Sequence, residues 1–150
     1  MATLTDCMST HHHACDELYA EAEEAAQGGR WQACYTATGA FVAAMEAHFG
    51  AEENTLFPRC QAANPVAQGP VSVMLGEHRL MRELFAELEL AARGRDADAW
   101  LAAGDTLVIL MQQHNLKEER ILYPLCDHAI PAAADLADQL QNALEGTAHV

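Results

Sequence analysis

Two stretches of the chain, H-F-G-A-E-E-N-T-L-F-P from His48 to Pro58 and H-N-L-K-E-E-R-I-L-Y-P from His114 to Pro124, decide the fold. They stand 66 residues apart and share a histidine, a Glu-Glu pair, a leucine, an aromatic residue and a proline in the same register. The same shift, without a gap, places His12 on His78, Glu17-Leu18 on Glu83-Leu84 and Tyr19-Ala20-Glu21 on Phe85-Ala86-Glu87. It also places Met45 on Met111 and Cys60 on Cys126. The chain therefore reads as two copies of one unit.

Chain breakers give that unit a shape. Helix 1 is expected from about Ser9 or Thr10, either of which could cap it, to Gly28-Gly29. Helix 2 is expected from about Trp31 to Phe57, where Pro58 ends or kinks it. A loop rich in Ala, Asn, Pro and Gly follows from Cys60 to Gly69. Helix 3 should begin near Pro70 and end near Gly94, and helix 4 should cover about Asp98 to Tyr123. A short helix 5 from Pro131 to about Glu145 closes the chain. The tight connections at Gly28-Gly29 and Arg93-Gly94-Arg95 make each unit an antiparallel helical hairpin. The expected fold is all-α, an up-down-up-down four-helix bundle with a short C-terminal helix, forming one domain over residues 1–150.

Composition supports that architecture. Of the 150 residues, 30 are alanine and only 9 are valine or isoleucine, which favours helix over sheet. The length suits one domain with a sizeable core. A formal net charge of −14 repels phosphate backbones and anionic lipid surfaces, so nucleic acid and membranes are not expected partners. Uninterrupted apolar runs such as Leu107 to Met111 are too short to span a bilayer. Met1 to Thr10 carry no secretory signal pattern. The five cysteines are scattered without a C-x-x-C pair, as expected of a reduced, cytoplasmic protein.

A metal cation is compatible with such charge, and the repeat says where it would bind. In H-x-x-x-E, His48/Glu52 and His114/Glu118 share one helix face a turn apart. Each first helix adds one histidine, His12 or His78. Counted from the hairpin turns, all four histidines lie roughly 24–28 Å up their helices. In a bundle, His12, His48, Glu52, His78, His114 and Glu118 converge on one layer. Six N and O donors are too many for one tetrahedral zinc and too nitrogen-rich for calcium or magnesium. They suit two borderline ions, iron before manganese, bridged by Glu52 and Glu118.

The words H-x-x-C-D-E-L (His12 to Leu18), H-F-x-x-E-E-x-x-L-F-P (His48 to Pro58), E-H-x-x-M-R-x-L (Glu77 to Leu84) and H-x-x-x-E-E-x-x-L-Y-P (His114 to Pro124) resemble the hemerythrin-like HHE cation-binding domains. The resemblance covers about residues 8 to 130. It implies a four-helix bundle with a non-haem di-iron site. It also implies binding or sensing of dioxygen, nitric oxide, redox state or iron, and in some members repair of iron–sulfur centres. The oxygen-carrying members have H-x-x-x-H on the third helix and H-x-x-x-x-D on the fourth. Here Arg82 stands at the former position, and Glu118 follows His114 by four residues. Two histidines per metal weigh against reversible oxygen carriage. Arg82 also departs from the third-helix H-x-x-x-E of the repair members.

Other residues near the layer have their own expectations. Asp16, one turn after His12, is expected to orient that histidine or to stand ion-paired or solvated, with ligation the least favoured role. Tyr19 and Tyr123 are expected first as core aromatics with the hydroxyl bonded to backbone or water, and of the two Tyr19 is the better candidate to donate towards a bound oxygen species. Met45, Met111 and Cys15 are expected in the core. His11 and His13 should point away from the layer, while His128 and His149 lie outside it. The function expected is a di-iron binding protein that binds or senses dioxygen, nitric oxide or redox and iron state. The alternative is a di-iron enzyme that reduces peroxide or oxygen, or protects or repairs iron centres. A metal-stabilised interaction bundle is the structural rival.

Overall fold

The computed structural model describes residues 2–148, and every regular element among them is helical. Helix α1 spans Leu4–Gln27 and α2 spans Trp31–Ala51. A π-helical turn, Glu52–Leu56, carries α2 without interruption into α3, Phe57–Ala63. After Asn64 and a single 3₁₀ turn, Pro65–Ala67, comes α4, Gln68–Arg93. Helix α5, Ala97–Lys117, runs through a second π turn, Glu118–Leu122, into α6, Tyr123–Ala129. Helix α7, Ala133–Ala148, packs across α1 and α2. Neighbours around the bundle are α1–α2, α2–α4, α4–α5 and α5–α1, as expected of two hairpins set side by side.

Helix α1 begins well before the expected Ser9 or Thr10, which lie inside it. Thr3 is the cap: its hydroxyl accepts from the Asp6 N–H, and the Asp6 carboxylate accepts from the Thr3 N–H. Asp127 of α6 accepts the next two N–H groups, of Leu4 at 2.7 Å and Thr5 at 3.0 Å. The free donors of the helix start are thus satisfied from a distant helix, information that local sequence does not contain.

The two prolines also act differently from expectation. Neither Pro58 nor Pro124 stops its helix, because each falls in the first turn after a π segment. There the Phe57 and Tyr123 N–H groups bond five residues back, to the Glu52 and Glu118 carbonyls. The extra residue in the turn relieves the demand for an N–H and the ring clash that a proline causes in an α-helix. As a result, the expected loop from Cys60 to Gly69 is mostly helical, with Asn64 capping the 3₁₀ turn through Val66 N–H at 3.0 Å.

Hairpin turns match across the repeat. Gly29 has φ +69°, and its equivalent Arg95 adopts φ +54°, a conformation that a β-carbon disfavours. Asp96 then caps α5 by accepting from Ala99 N–H at 3.0 Å.

Two apolar clusters fill the bundle. One, towards the hairpin turns, holds Phe41, Phe49, Phe85, Trp100 and Leu107 with Met45 and Met111, as expected of the methionines. The other lies under α7 and includes Leu4, Met8, Phe57, Leu122 and Leu136. Burying each large side chain contributes about 1.5–3 kcal/mol. Between the two clusters, the bundle gives up apolar contact to a layer of buried His and Glu.

Candidate metal centre

The repeat brings all six expected side chains into that layer. His12, His48, His78 and His114 are at most 5 % exposed, and Glu52 and Glu118 are fully buried. Glu118 Oε1 lies 3.1 Å from His12 Nε2 and 3.3 Å from His114 Nε2. Glu52 places one oxygen 3.2 Å from His78 Nε2 and the other 3.6 Å from His48 Nε2. Each carboxylate therefore reaches histidines of both hairpins.

The donors fall into two groups, each with its ligand atoms within 4.8 Å of one another: Glu52, His78, His114 and Glu118, and His12, His48 and Glu118. Four of their atoms, Glu52 Oε1, His78 Nε2, His114 Nε2 and Glu118 Oε2, are buried without a hydrogen bond. Orphaned polar atoms in a core are costly, and here all four converge on one place. Both the donor chemistry and these orphaned atoms fit a bound metal cation.

The outer nitrogens of the histidines are also held. His12 Nδ1 donates to Glu119 at 2.6 Å, His78 Nδ1 to Glu53 at 2.7 Å and His114 Nδ1 to Glu77 at 2.8 Å. These bonds present each Nε2 to the centre, the usual arrangement behind a metal-bound imidazole. Each π turn opens with the doublet Glu52-Glu53 or Glu118-Glu119: the first residue faces the centre, the second supports a histidine across the bundle. Arg82 bonds Glu46 and Glu53, and Lys117 bonds Glu77 closely. Arg82 thus stands behind the layer, where it steadies the partner of His78.

Charges in the metal-free chain are shared between imidazoles and carboxylates. Burial opposes a charge on His114, but Glu118 outweighs it and pushes His114 up to about 9; His12 is raised by the same carboxylate against the same opposition. Burial would raise Glu52, yet its histidine neighbours hold it well below the usual carboxylate range. The carboxylates therefore favour the protonated form of His12 and His114.

The order of the two tyrosines and the direction of His11 need correction. Tyr19 is not at the centre: it stacks on Trp100, meets Phe41 edge-on and donates weakly to Glu23 at 3.4 Å. Tyr123 is the tyrosine at the centre, its hydroxyl 2.6 Å from Glu52 Oε2, 2.8 Å from Glu118 Oε1 and 3.1 Å from His48 Nε2. Burial and the two carboxylates raise Tyr123 well above its ordinary value, so it stays a hydrogen-bond donor. The π turn brings residue i+5 beneath residue i, a juxtaposition that α-helical counting misses.

His11 likewise does not turn away from the layer. It is buried, with Nδ1 2.8 Å from His48 Nδ1. Burial, then the neighbouring His48 and His12, lower it to about 4. Asp16 is exposed, and no hydrogen bond or ion pair joins it to His12; with His12, Tyr19 and Glu119 it lines a groove between α1 and α5. His13 and His128 are exposed, as expected, and His149 lies outside the described residues. Cys15 is buried, and desolvation raises its thiol to about 12, in keeping with a core residue.

A helical bundle with buried carboxylates and inward imidazoles between two apolar clusters is a metal-binding bundle by construction. Residues 3–126 match the model of the hemerythrin HHE cation-binding domain, and the chain belongs to that family. Neither the curated proteins nor the solved structures compared with it gave a significant match. Among the described residues, no helix is long and apolar enough to cross a membrane.

Proposed function

We propose that His12, His48, Glu52, His78, His114 and Glu118 hold two non-haem iron ions, and that the centre binds or senses dioxygen, nitric oxide or the redox and iron state of the cell. The observation that carries this reading is Glu118, which belongs to both donor groups and can bridge them. Iron held there would supply one-electron redox chemistry and coordination positions for a small ligand. The chain contributes orientation: Glu53, Glu77 and Glu119 fix three histidines, and two apolar clusters keep bulk water from the layer. We place the protein in the cytoplasm, as one domain over residues 1–150, with a diatomic ligand or peroxide as its small-molecule partner. The scattered spacing of the cysteines, without a C-x-x-C pair, supports a reducing compartment.

Anaerobic iron loading of the metal-free protein tests the reading. Two irons per chain and near-ultraviolet charge-transfer bands that respond to azide or nitric oxide are expected. Fewer than one iron per chain would overturn it. Peroxide or oxygen turnover that disappears in Glu52→Ala would instead favour the enzymatic reading.

A further inference from the structure

The outer hydrogen bonds contain one break in the repeat. Three of the four histidines donate Nδ1–H to a carboxylate, but His48 faces His11. Shifted by the repeat, His11 falls on Glu77 and His48 on His114. Both pairs are separated by 37 residues and both close at 2.8 Å, so the same backbone geometry presents two different acceptors. An imidazole that offers Nε2 to a metal keeps its proton on Nδ1. Only one proton fits between two Nδ1 atoms at this distance, so His48 donates and His11 accepts, with its own proton on Nε2. His11 is 7 % exposed and its ring lies within 11° of parallel to that of His48, so packing holds this pairing in place.

We propose that His11 is a positioning residue for one of the two metal positions: as a neutral acceptor it locks His48 in the tautomer that offers Nε2 beside His12, and it leaves the His78/His114 position unaffected. The inference rests on the two-metal reading above. It adds that the two positions are built differently, since one histidine at the first is backed by an uncharged ring, whereas both at the second are backed by carboxylates. Loss of an outer partner of this kind typically lowers metal affinity 10–100-fold.

The test is ferrous ion or cobalt(II) titration of metal-free protein, comparing His11→Leu, which fills space but accepts no hydrogen bond, with His11→Gln and His11→Glu, which can accept one. Wild type should take up two equivalents. In His11→Leu one equivalent should weaken by about 10–100-fold, and His11→Gln and His11→Glu should retain it. On a His78→Ala background, which keeps the His12/His48 position, His11→Leu should weaken the remaining equivalent by the same factor. On a His12→Ala background it should change nothing. Thermal melts of the metal-free variants report folding independently of metal. Wild-type affinity for both equivalents in His11→Leu would overturn the inference and leave the two-metal reading standing. Absence of binding in wild type would overturn both. Equal weakening by Leu, Gln and Glu would assign His11 a steric role and overturn its role as acceptor.

Discussion

The Tyr123 hydroxyl lies 2.6 Å from Glu52 Oε2 and donates to it, joining a residue that follows one π turn to the carboxylate that opens the other. Its repeat equivalent, Phe57, is buried but has no hydroxyl. The centre is therefore nearly two-fold in its ligands and asymmetric in its support. Tyr123→Phe should fit, since phenylalanine already occupies the equivalent position. Loss of a hydrogen bond to a buried carboxylate should cost the metal-free protein about 1.5–3 kcal/mol, read as a lower melting temperature.

Glu118 and the histidines should separate in a stoichiometry experiment. Because Glu118 joins both donor groups, Glu118→Ala should abolish tight binding of both metals. His78→Ala, which removes a donor from one group, should leave one equivalent bound. Equilibrium dialysis followed by metal analysis distinguishes these outcomes, and a Glu118→Ala protein that binds two equivalents would refute the shared-bridge geometry.

Acidity gives a prediction with a definite sign. In the metal-free chain His114 is held up to about 9, above its ordinary 6.5, so folding binds a proton. That contribution is fully present below about pH 6.5 and is lost as the pH rises towards 9. The metal-free melting temperature should therefore fall across this interval. A metal on Nε2 replaces the proton, so loading should release protons and flatten this part of the profile. Melts with and without metal between pH 6 and 9.5, and proton release on loading in weak buffer, check both statements.

Gly104 tests the reassignment of Tyr19. A β-carbon at residue 104 would clash with the Tyr19 hydroxyl and press on Trp100, whose stacked rings leave little room to yield. Gly104→Ala should destabilise the protein by about 1–3 kcal/mol and lower its melting temperature by several degrees, without altering metal stoichiometry. A change in stoichiometry instead would return Tyr19 to the centre.

The sequence by itself determined the bundle and the six inward side chains of the layer. The reason is physical: a helix repeats every 3.6 residues, so the spacing from His48 to Glu52, copied at His114 and Glu118, defines a common face. Equal distances from the hairpin turns then set the heights of His12 and His78. The same local logic failed where partners come from elsewhere in the chain or where the helical period changes. The start of α1 depends on Asp127, about 120 residues away, as well as on Thr3. Two π turns carried the helices past Pro58 and Pro124 and moved Tyr123 under Glu118. Tertiary packing alone decided that Tyr123 reaches the centre while Tyr19 joins the aromatic core, and that His11 backs His48. Side chains at one level of the bundle meet according to how the helices cross and rotate, and no single helix encodes that rotation.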